Sequence, residues 1–340
     1  MSGKPLEIDY SRFGDKLPDW AREVIETHLA IEQEGAKKAG QLGYMARALV
    51  LASMPYKDPK TDLFARQNGD FKLRIIAGYE GGIPYGIYPR LLMSWVTTEV
   101  MRTQSPELEL GDSLSSFLRE VLELKSSSGG ARGTGTRVTE QMRRLFGSSI
   151  TATYAGTAPG AGVDGKPRFA LKNIQIAEDY AEYEGDIDDA LWNPQGVEEA
   201  GTWRSTLRLN QAFFKECMDS PVPIDIRAYK ALRSSPMAMD LYTWLTYRMS
   251  YASKRQAIRW EPLMMQFGSG YGGGERTSQA VRDFKKAFLS AMQMVLGVYP
   301  TLKLEVTDTG VVLLPGATHV AMVVPKRLKG DASPQTNLFE

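Results

Sequence analysis

The side chains best suited to bind a ligand in this sequence are basic and amide groups spaced three or four residues apart between positions 276 and 290. This spacing places them on one face of an α-helix. An arginine can pair with the edge of guanine, a glutamine with that of adenine, and a lysine with a phosphate. The pattern therefore predicts a helix that reads double-stranded DNA. Its polar face consists of Arg276, Gln279, Arg282, Asp283, Lys286 and Ser290.

The opposite face of this predicted helix is apolar and is expected to pack inward. Solvated helix faces usually mix acidic with basic residues, whereas Asp283 is the only acidic residue between positions 276 and 296. Its carboxylate could accept from a cytosine amino group or hold Arg282 in place. A plain solvated face is the alternative interpretation. The apolar residues are Val281, Phe284, Phe288, Ala291, Met292 and Val295.

A second basic helix is predicted over residues 136–146. It has more arginines and fewer base-reading amides than the first, which indicates phosphate anchoring rather than sequence readout. Its buried side is predicted to hold Val138, Gln141, Met142 and Leu145. Its outward side is predicted to hold Thr136, Arg137, Glu140, Arg143 and Arg144.

The charges are segregated along the chain, although 41 basic and 40 acidic residues give a net charge of only +1. Residues 125–150 hold five basic residues against one acidic, and residues 227–259 hold seven against one. Two basic regions predict two contacts with a polyanion. The other DNA-contact candidates in these regions are Arg132, Lys254 and Arg255. Residues 178–199 carry nine acidic residues and no basic one, and are expected to face solvent or to cover a basic face when DNA is absent.

Enzymatic and metal chemistry find little support. The single cysteine, Cys217, excludes an intramolecular disulfide and a multi-thiolate zinc site. Two histidines, His28 and His319, argue against nucleases and hydrolases that need several imidazoles. Residues 268–273 match G-x-G-x-x-G, but the match follows a predicted helix rather than a strand. We therefore expect a non-enzymatic protein without metal or cofactor.

The apolar runs are far shorter than the ~20 residues that span a bilayer. Residues 1–10 show no charged-then-apolar signal pattern. A cytoplasmic protein is expected.

The elements that would position the basic helices occur twice in the same order: helix, short strand, helix, glycine-rich loop, basic helix and two strands. Trp95 and Trp244 take the same place in the first helix of each copy, and Phe117 and Phe267 the same place at the end of the second. This order is that of a winged helix-turn-helix, whose last helix enters the major groove. The first copy has helices at 90–102, 112–122 and 136–146 and strands at 107–110, 149–155 and 168–176. The second has helices at 237–251, 262–267 and 276–296 and strands at 257–260, 302–306 and 311–314.

The predicted fold is α+β, with two tandem winged helix-turn-helix domains and an N-terminal helical and extended appendage. A helix opening at residues 18–20 is predicted to bury a stripe of Val24, Ile25, Leu29 and Ile31. Residues 47–54 and 71–79 are predicted to be strands or extended. Residues 1–80 are predicted to be an appendage that packs on the first domain. The first winged helix is predicted over residues 81–178 and the second over residues 227–325. Between them, residues 179–226 are predicted to be an acidic linker with a connecting helix, and residues 326–340 a flexible tail.

Residues 82–118, 136–146, 240–251 and 281–300 together resemble the plasmid RepA replication initiators, those of IncW-like broad-host-range plasmids most. The resemblance covers roughly residues 40–320. It implies two winged-helix domains that bind repeated origin sequences, called iterons, and recruit host replication proteins such as the helicase and the host initiator. It also implies that the C-terminal domain reads the major groove, while the N-terminal domain contacts the backbone as a monomer or self-associates as a dimer. The near-neutral net charge departs from the basic balance expected of such proteins.

The C-terminal residues resemble the Q-L-[SD]-L-F peptide that docks on the bacterial β sliding clamp. Gln335, Leu338 and Phe339 match that peptide, and Thr336 replaces its first leucine. A weak clamp contact through this tail is expected. Two alternatives to an initiator stay open: a winged-helix transcriptional repressor, and an adaptor whose basic faces bind acidic segments of proteins.

Overall fold

The computed structural model describes residues 3–8, 19–51, 53–68, 70–110, 117–124, 133–155, 169–179, 206–219, 221–268 and 277–320. The helices are α1 (Asp19–Gln33), α2 (Arg47–Leu51), α3 (Tyr88–Thr103), α4 (Thr134–Phe146), α5 (Gln211–Asp219), α6 (Ile226–Ala231), α7 (Pro236–Met249), α8 (Trp260–Phe267) and α9 (Ser278–Val298), with a π-helical turn at Phe117–Val121. The first strands are β1 (Lys4–Pro5), β2 (Leu42–Ala46), β3 (Leu63–Asn68), β4 (Phe71–Ile76), β5 (Glu107–Glu109), β6 (Ser149–Ala155) and β7 (Phe169–Gln175). The remaining strands are β8 (Ala177–Asp179), β9 (Thr206–Leu209), β10 (Pro221–Asp225), β11 (Gln256–Arg259), β12 (Leu304–Val306) and β13 (Gly310–Leu313).

The second repeat, residues 236–313, has the winged-helix order that the sequence predicts. Helices α7, α8 and α9 are followed by the hairpin β12–β13, the wing, and β11 pairs with β13 in one antiparallel sheet. Gly310 allows the close approach of β11 and β13, since a side-chain carbon there would lie 1.9 Å from the carbonyl oxygen of Ile258. Helices α7 and α9 begin where Ser235 and Thr277 accept hydrogen bonds from the backbone amides of Ala238 and Ala280.

The first repeat, residues 88–175, has the predicted helices α3 and α4 and the predicted strands β6 and β7, but its sheet differs from that of the second. The short strand β5 does not pair with β6 or β7. It pairs with β9, which inserts between β5 and β8. The hairpin β3–β4 pairs with β6 of the β6–β7 hairpin, the wing of the first repeat, so that the sheet runs β3-β4-β6-β7. Strand β3 was not predicted.

The same aromatic pair packs in both repeats. The ring centroids of Trp95 and Phe117 are 5.0 Å apart and those of Trp244 and Phe267 5.4 Å apart, both edge to face. The predicted equivalence of these residues is therefore confirmed in the packing. A continuous cluster of buried hydrophobic side chains runs through both repeats.

Two predictions about the N-terminal residues are wrong. Residues 47–51 form helix α2 rather than a strand, with Leu49 and Val50 buried in the common core. In α1, Val24 is buried as expected but Leu29 is 52% exposed. The reason is that the first part of α1 packs on the end of α9, where Gly297 leaves room for Val24.

The N-terminal residues also do not pack on the first repeat alone. The β3–β4 hairpin extends the first wing, whereas β1 pairs with β12 of the second wing and α1 lies on α9 and α6. Arg227 fixes this arrangement, because its guanidinium donates to the carbonyl oxygens of Ala30 and Glu34 near the end of α1, at 3.2 and 2.8 Å. The division of the chain into domains otherwise stays a prediction.

Candidate nucleic-acid interface

The polar face of α9 is exposed, as predicted. Gln279, Arg282 and Lys286 are exposed, as are Asp283 and Ser290. On the opposite side, the predicted apolar residues are buried, apart from Val281, which is half-buried: Phe284, Phe288, Ala291, Met292 and Val295. Arg276 lies outside the described residues.

A short chain of hydrogen bonds orders three of these exposed side chains. Arg282 Nη2 donates to Gln279 Oε1 at 2.7 Å, and Gln279 Nε2 donates to Asp283 Oδ1 at 2.8 Å. Asp283 therefore orients the Gln279 amide, and the amide orients Arg282. This is an indirect form of the second role predicted for Asp283. Preordering of this kind lowers the side-chain entropy that binding must otherwise remove.

Trp260 connects the wing to the middle of α9. Its backbone amide donates to the carbonyl oxygen of Thr309 at 3.0 Å, and its indole Nε1 donates to that of Thr307 at 3.4 Å. The same ring packs edge to face on Phe288, with 5.8 Å between centroids, and Lys285 Nζ lies 5.1 Å over it. The wing turn at residues 307–309 is therefore level with residues 285–288 of α9.

We name the exposed face of α9, the wing turn at residues 307–309 and Arg259 the α9–wing surface. Arg259 is exposed and pairs with Gly310 across β11 and β13. Arg259 was not among the predicted site residues; the alternation of half-buried and exposed residues along β11 is the signal that marks it. The two predicted DNA-contact candidates before β11, Lys254 and Arg255, are both exposed. Arg255 Nη2 forms an ion pair with Glu305 at 2.6 Å.

The prediction that Arg144 faces outward is wrong. Its side chain is only 11% exposed, its Nε lies 2.8 Å from Glu140 Oε1 and its Nη1 3.5 Å from Asp58 Oδ2. Nη1 also donates to the carbonyl oxygen of Ile83 at 3.4 Å, and the guanidinium lies 5.1 Å over the Tyr85 ring. Burial opposes its charge, but the hydrogen bond and charge of Glu140 outweigh burial and raise the pKa of Arg144. Arg144 is therefore a structural residue.

The loop before α3 is hydrogen-bonded to α4 at two positions. The Tyr79 hydroxyl donates to Glu140 Oε2 at 3.3 Å, and the backbone amide of Tyr85 donates to Gln141 Oε1 at 2.8 Å. Val138, Gln141, Met142 and Leu145 are buried as predicted. Arg137 is exposed and Arg143 half-buried. Arg132 lies outside the described residues. Because Glu140 and Asp58 hold the Arg144 guanidinium, the described part of α4 offers one basic side chain fewer than its sequence predicts.

The basic residues of the 227–259 region do not form one surface either. Arg227 pairs with Asp225 at 2.7 Å, Lys230 with Glu123 at 2.8 Å, and Arg233 with Glu23 at 2.7 Å. These ion pairs hold α1 and the segment after the π-helical turn against α6. The first three charges of this region are thus paired within the chain, and a polyanion contact along the region stays a prediction.

One exposed face of the first-repeat sheet carries two basic residues that were not predicted as site residues. Along β4, buried and exposed residues alternate, and Lys72 and Arg74 point to the exposed side. Their partners in register are Gln67 and Ala65 on β3 and Thr153 and Thr151 on β6. The period-two pattern of residues 71–76 is the signal that marks them.

The remaining predictions concern metal sites, membrane helices, the acidic stretch and the C-terminal tail. Within these ranges, no group of three His, Cys, Asp or Glu side chains could hold a metal ion. Cys217 is buried. None of the described helices is both long and apolar enough to cross a membrane. The tail residues Gln335, Leu338 and Phe339, and most of the acidic stretch, lie outside the described residues.

Comparison with known proteins gives one family and a set of solved structures. The family model described as "Plasmid encoded RepA protein" matches residues 83–262, more than half of the chain. No curated protein matches. A crystal structure of a selenomethionine derivative of domains 2 and 3 of RctB matches with 12% identity and a TM-score of 0.42, covering 78% of this chain and 95% of that one. A second structure of RctB domains 2–3 matches with 13% identity and a TM-score of 0.41, covering 78% and 94%.

Proposed function

The chain belongs to the family of plasmid-encoded RepA proteins, the replication initiators that its sequence resembles, and on this premise we propose that it starts plasmid replication by binding iterons in double-stranded origin DNA. In this proposal the protein acts without catalysis and without a cofactor. The observation that carries it is the α9–wing surface, where base-reading side chains stand on the exposed face of a winged-helix recognition helix.

The chemistry of that surface suits a major groove. The groove is about 12 Å wide and admits one α-helix. Arg282 and Gln279 carry the groups that pair with guanine and adenine, and Lys286 lies about one turn further along α9. The turn of the wing would then lie along the DNA backbone beside the helix.

The first repeat would anchor phosphates rather than read bases. The guanidinium of Arg144 is held by Glu140 and Asp58, which leaves Arg137 as the exposed arginine described on α4. Lys72 and Arg74 add two exposed positive charges on the neighbouring sheet. Contacts of this kind raise affinity for all sequences and make it depend on salt.

Further parts of the proposal come from the family resemblance. They are self-association as a dimer off DNA and recruitment of the host helicase and initiator. A tail contact with the β sliding clamp is proposed separately, from the likeness of Gln335, Leu338 and Phe339 to the clamp-docking peptide. A chain that covers its own promoter would also repress it, so that plasmid maintenance, rather than DNA binding, separates an initiator from a repressor.

The direct test measures binding to a labelled duplex that carries direct repeats taken from the DNA beside the gene, against a scrambled duplex of the same composition. We expect preference for the repeats. Arg282→Ala should weaken repeat binding by about 1–3 kcal/mol and relax specificity at one base pair. Lys37→Ala is the matched control, because Lys37 is an exposed cation that follows the end of α1, where α1 lies against Arg227 of α6. Equal binding of both duplexes, or an Arg282→Ala variant with unchanged affinity and preference, would refute the assignment.

A further inference from the structure

The N-terminal residues 3–8, which we name the N-terminal arm, form the outer strand of the second wing. Lys4 pairs with Val306 and Pro5 with Glu305, and the Leu6 amide donates to the Leu304 carbonyl oxygen at 3.2 Å. The sheet order β1-β12-β13-β11 places the arm at the edge of the wing. The arm is therefore part of the winged helix to which it is most distant in sequence.

The direction of the arm is fixed at both ends. At its far end, the Glu7 carbonyl oxygen accepts from Gln293 Nε2 of α9 at 3.5 Å, and Ile8 faces Gly297 near the end of that helix. Because β1 is antiparallel to β12, the chain runs from there back toward the wing turn. At its near end, Gly3 lies beside Glu305 and Thr307.

Lys4 is thereby placed level with the exposed part of α9. Three extended residues span roughly 10 Å, so that Lys4 lies about that distance from Glu7 toward the turn. The same distance along an α-helix is about seven residues, which leads from Gln293 back to Lys286. The position agrees with Trp260, which joins the turn to residues 285–288 of α9.

We infer that the N-terminal arm is a third element of the DNA-binding surface and that Lys4 contacts a backbone phosphate at the edge of the groove that α9 enters. The inference rests on the proposed function. Lys4 is exposed and lies one residue before the level of the wing turn. The carboxylate of Glu305, which stands opposite Pro5 on β12, is already bound to Arg255 at 2.6 Å.

The first experiment measures iteron affinity over a range of salt concentrations for the full chain and three variants. Lys4→Ala should lower affinity about three- to tenfold and reduce the slope of log affinity against log salt by about one. Lys37→Ala should leave the slope unchanged. Unchanged affinity and slope in Lys4→Ala, with tight wild-type binding and a weakened Arg282→Ala, would overturn the arm contact alone. Failure of the wild type to bind iterons would overturn the proposed function and this inference with it.

A second experiment locates the arm on the DNA. The native Cys217 is buried, so Lys4→Cys introduces an accessible thiol that carries an iron-chelate cleavage reagent. We expect cleavage of the iteron duplex at one backbone position beside the groove. Labelling at Lys37→Cys provides the control and should give no localised cleavage. Absence of localised cleavage from position 4 on a bound duplex would overturn the inference.

Discussion

Arg90 and Asp240 form a buried two-point ion pair that joins α3 of the first repeat to α7 of the second. Arg90 Nε and Nη2 donate to the two carboxylate oxygens of Asp240, both at 2.8 Å. The three remaining N–H groups of Arg90 donate to the carbonyl oxygens of Met54, Pro55 and Gly86. Burial opposes the charge, but Asp240 outweighs it and raises the pKa of Arg90. Every donor of a fully buried arginine is thus satisfied between the two repeats.

Removing one partner of this pair should be costly. Asp240→Ala leaves an uncompensated buried guanidinium, and we expect a loss of about 3–5 kcal/mol in the free energy of unfolding. The double variant Arg90→Met, Asp240→Leu should lose less than Arg90→Met alone or Asp240→Leu alone, because no charge remains buried. Urea denaturation measures the unfolding free energy of all four variants. Arg102→Ala is the control, since its pair with Glu99 is 70% exposed on the arginine side and should matter by under about 1 kcal/mol. Equal, small effects at both pairs would contradict the prediction.

Arg144 should act on folding and not on DNA. Arg144→Ala removes hydrogen bonds to Glu140 and Ile83, and a loss of about 1.5–3 kcal/mol in unfolding free energy is expected. Under conditions where the variant is folded, its salt dependence of iteron binding should equal that of the wild type. Arg137→Ala, at an exposed position of the same helix, should reduce the salt dependence of iteron binding and leave the unfolding free energy nearly unchanged. If Arg144→Ala reduced the slope of log iteron affinity against log salt and Arg137→Ala did not, Arg144 would be a phosphate contact after all.

His319 should make stability fall in mild acid. Burial lowers its pKa to about 4, and its Nδ1 lies 2.7 Å from the Tyr242 hydroxyl. The unfolded chain therefore takes up a proton near pH 6.5 while the folded chain does not. The contribution of neutral His319 is complete above pH 6.5 and declines as the pH falls to 4, by roughly 3 kcal/mol in total.

The test follows unfolding free energy between pH 7 and 4. His319→Gln should flatten the decline over that interval, whereas Lys37→Ala, a substitution of an exposed residue, should keep it. A His319→Gln variant with the wild-type pH dependence would refute the assignment.

The tail should bind the sliding clamp weakly. Leu338 and Phe339 would each contribute about 1.5–3 kcal/mol on burial, before the cost of ordering the peptide, so that micromolar or weaker affinity is expected. A peptide of residues 332–340 should bind purified clamp, and Leu338→Ala with Phe339→Ala should abolish binding while Asn337→Ala does not. Equal binding by the wild-type and doubly substituted peptides would exclude the contact.

Periodicity explains what the sequence could predict. The faces of α9 follow from apolar residues at three- and four-residue intervals, because any helix buries such a stripe whatever covers it. The two copies of the winged-helix order were predictable for the same reason, and Trp95 and Trp244 marked their register. Strand β4 shows its buried face by alternation.

Partner choice was settled by the tertiary structure alone. Nothing near Arg144 in sequence announces Asp58, 86 residues away, and its outward position on a helical wheel gives no hint of the loop that covers it. In sequence, Lys230 and Arg233 have the pattern of surface charges. The tertiary structure pairs them with Glu123 and Glu23. The arm at residues 3–8 reaches β12 across almost the whole chain. A residue's own neighbours in sequence determine its helix or strand face, whereas the group that neutralises a charge or completes a sheet edge depends on which distant segments the common core brings together.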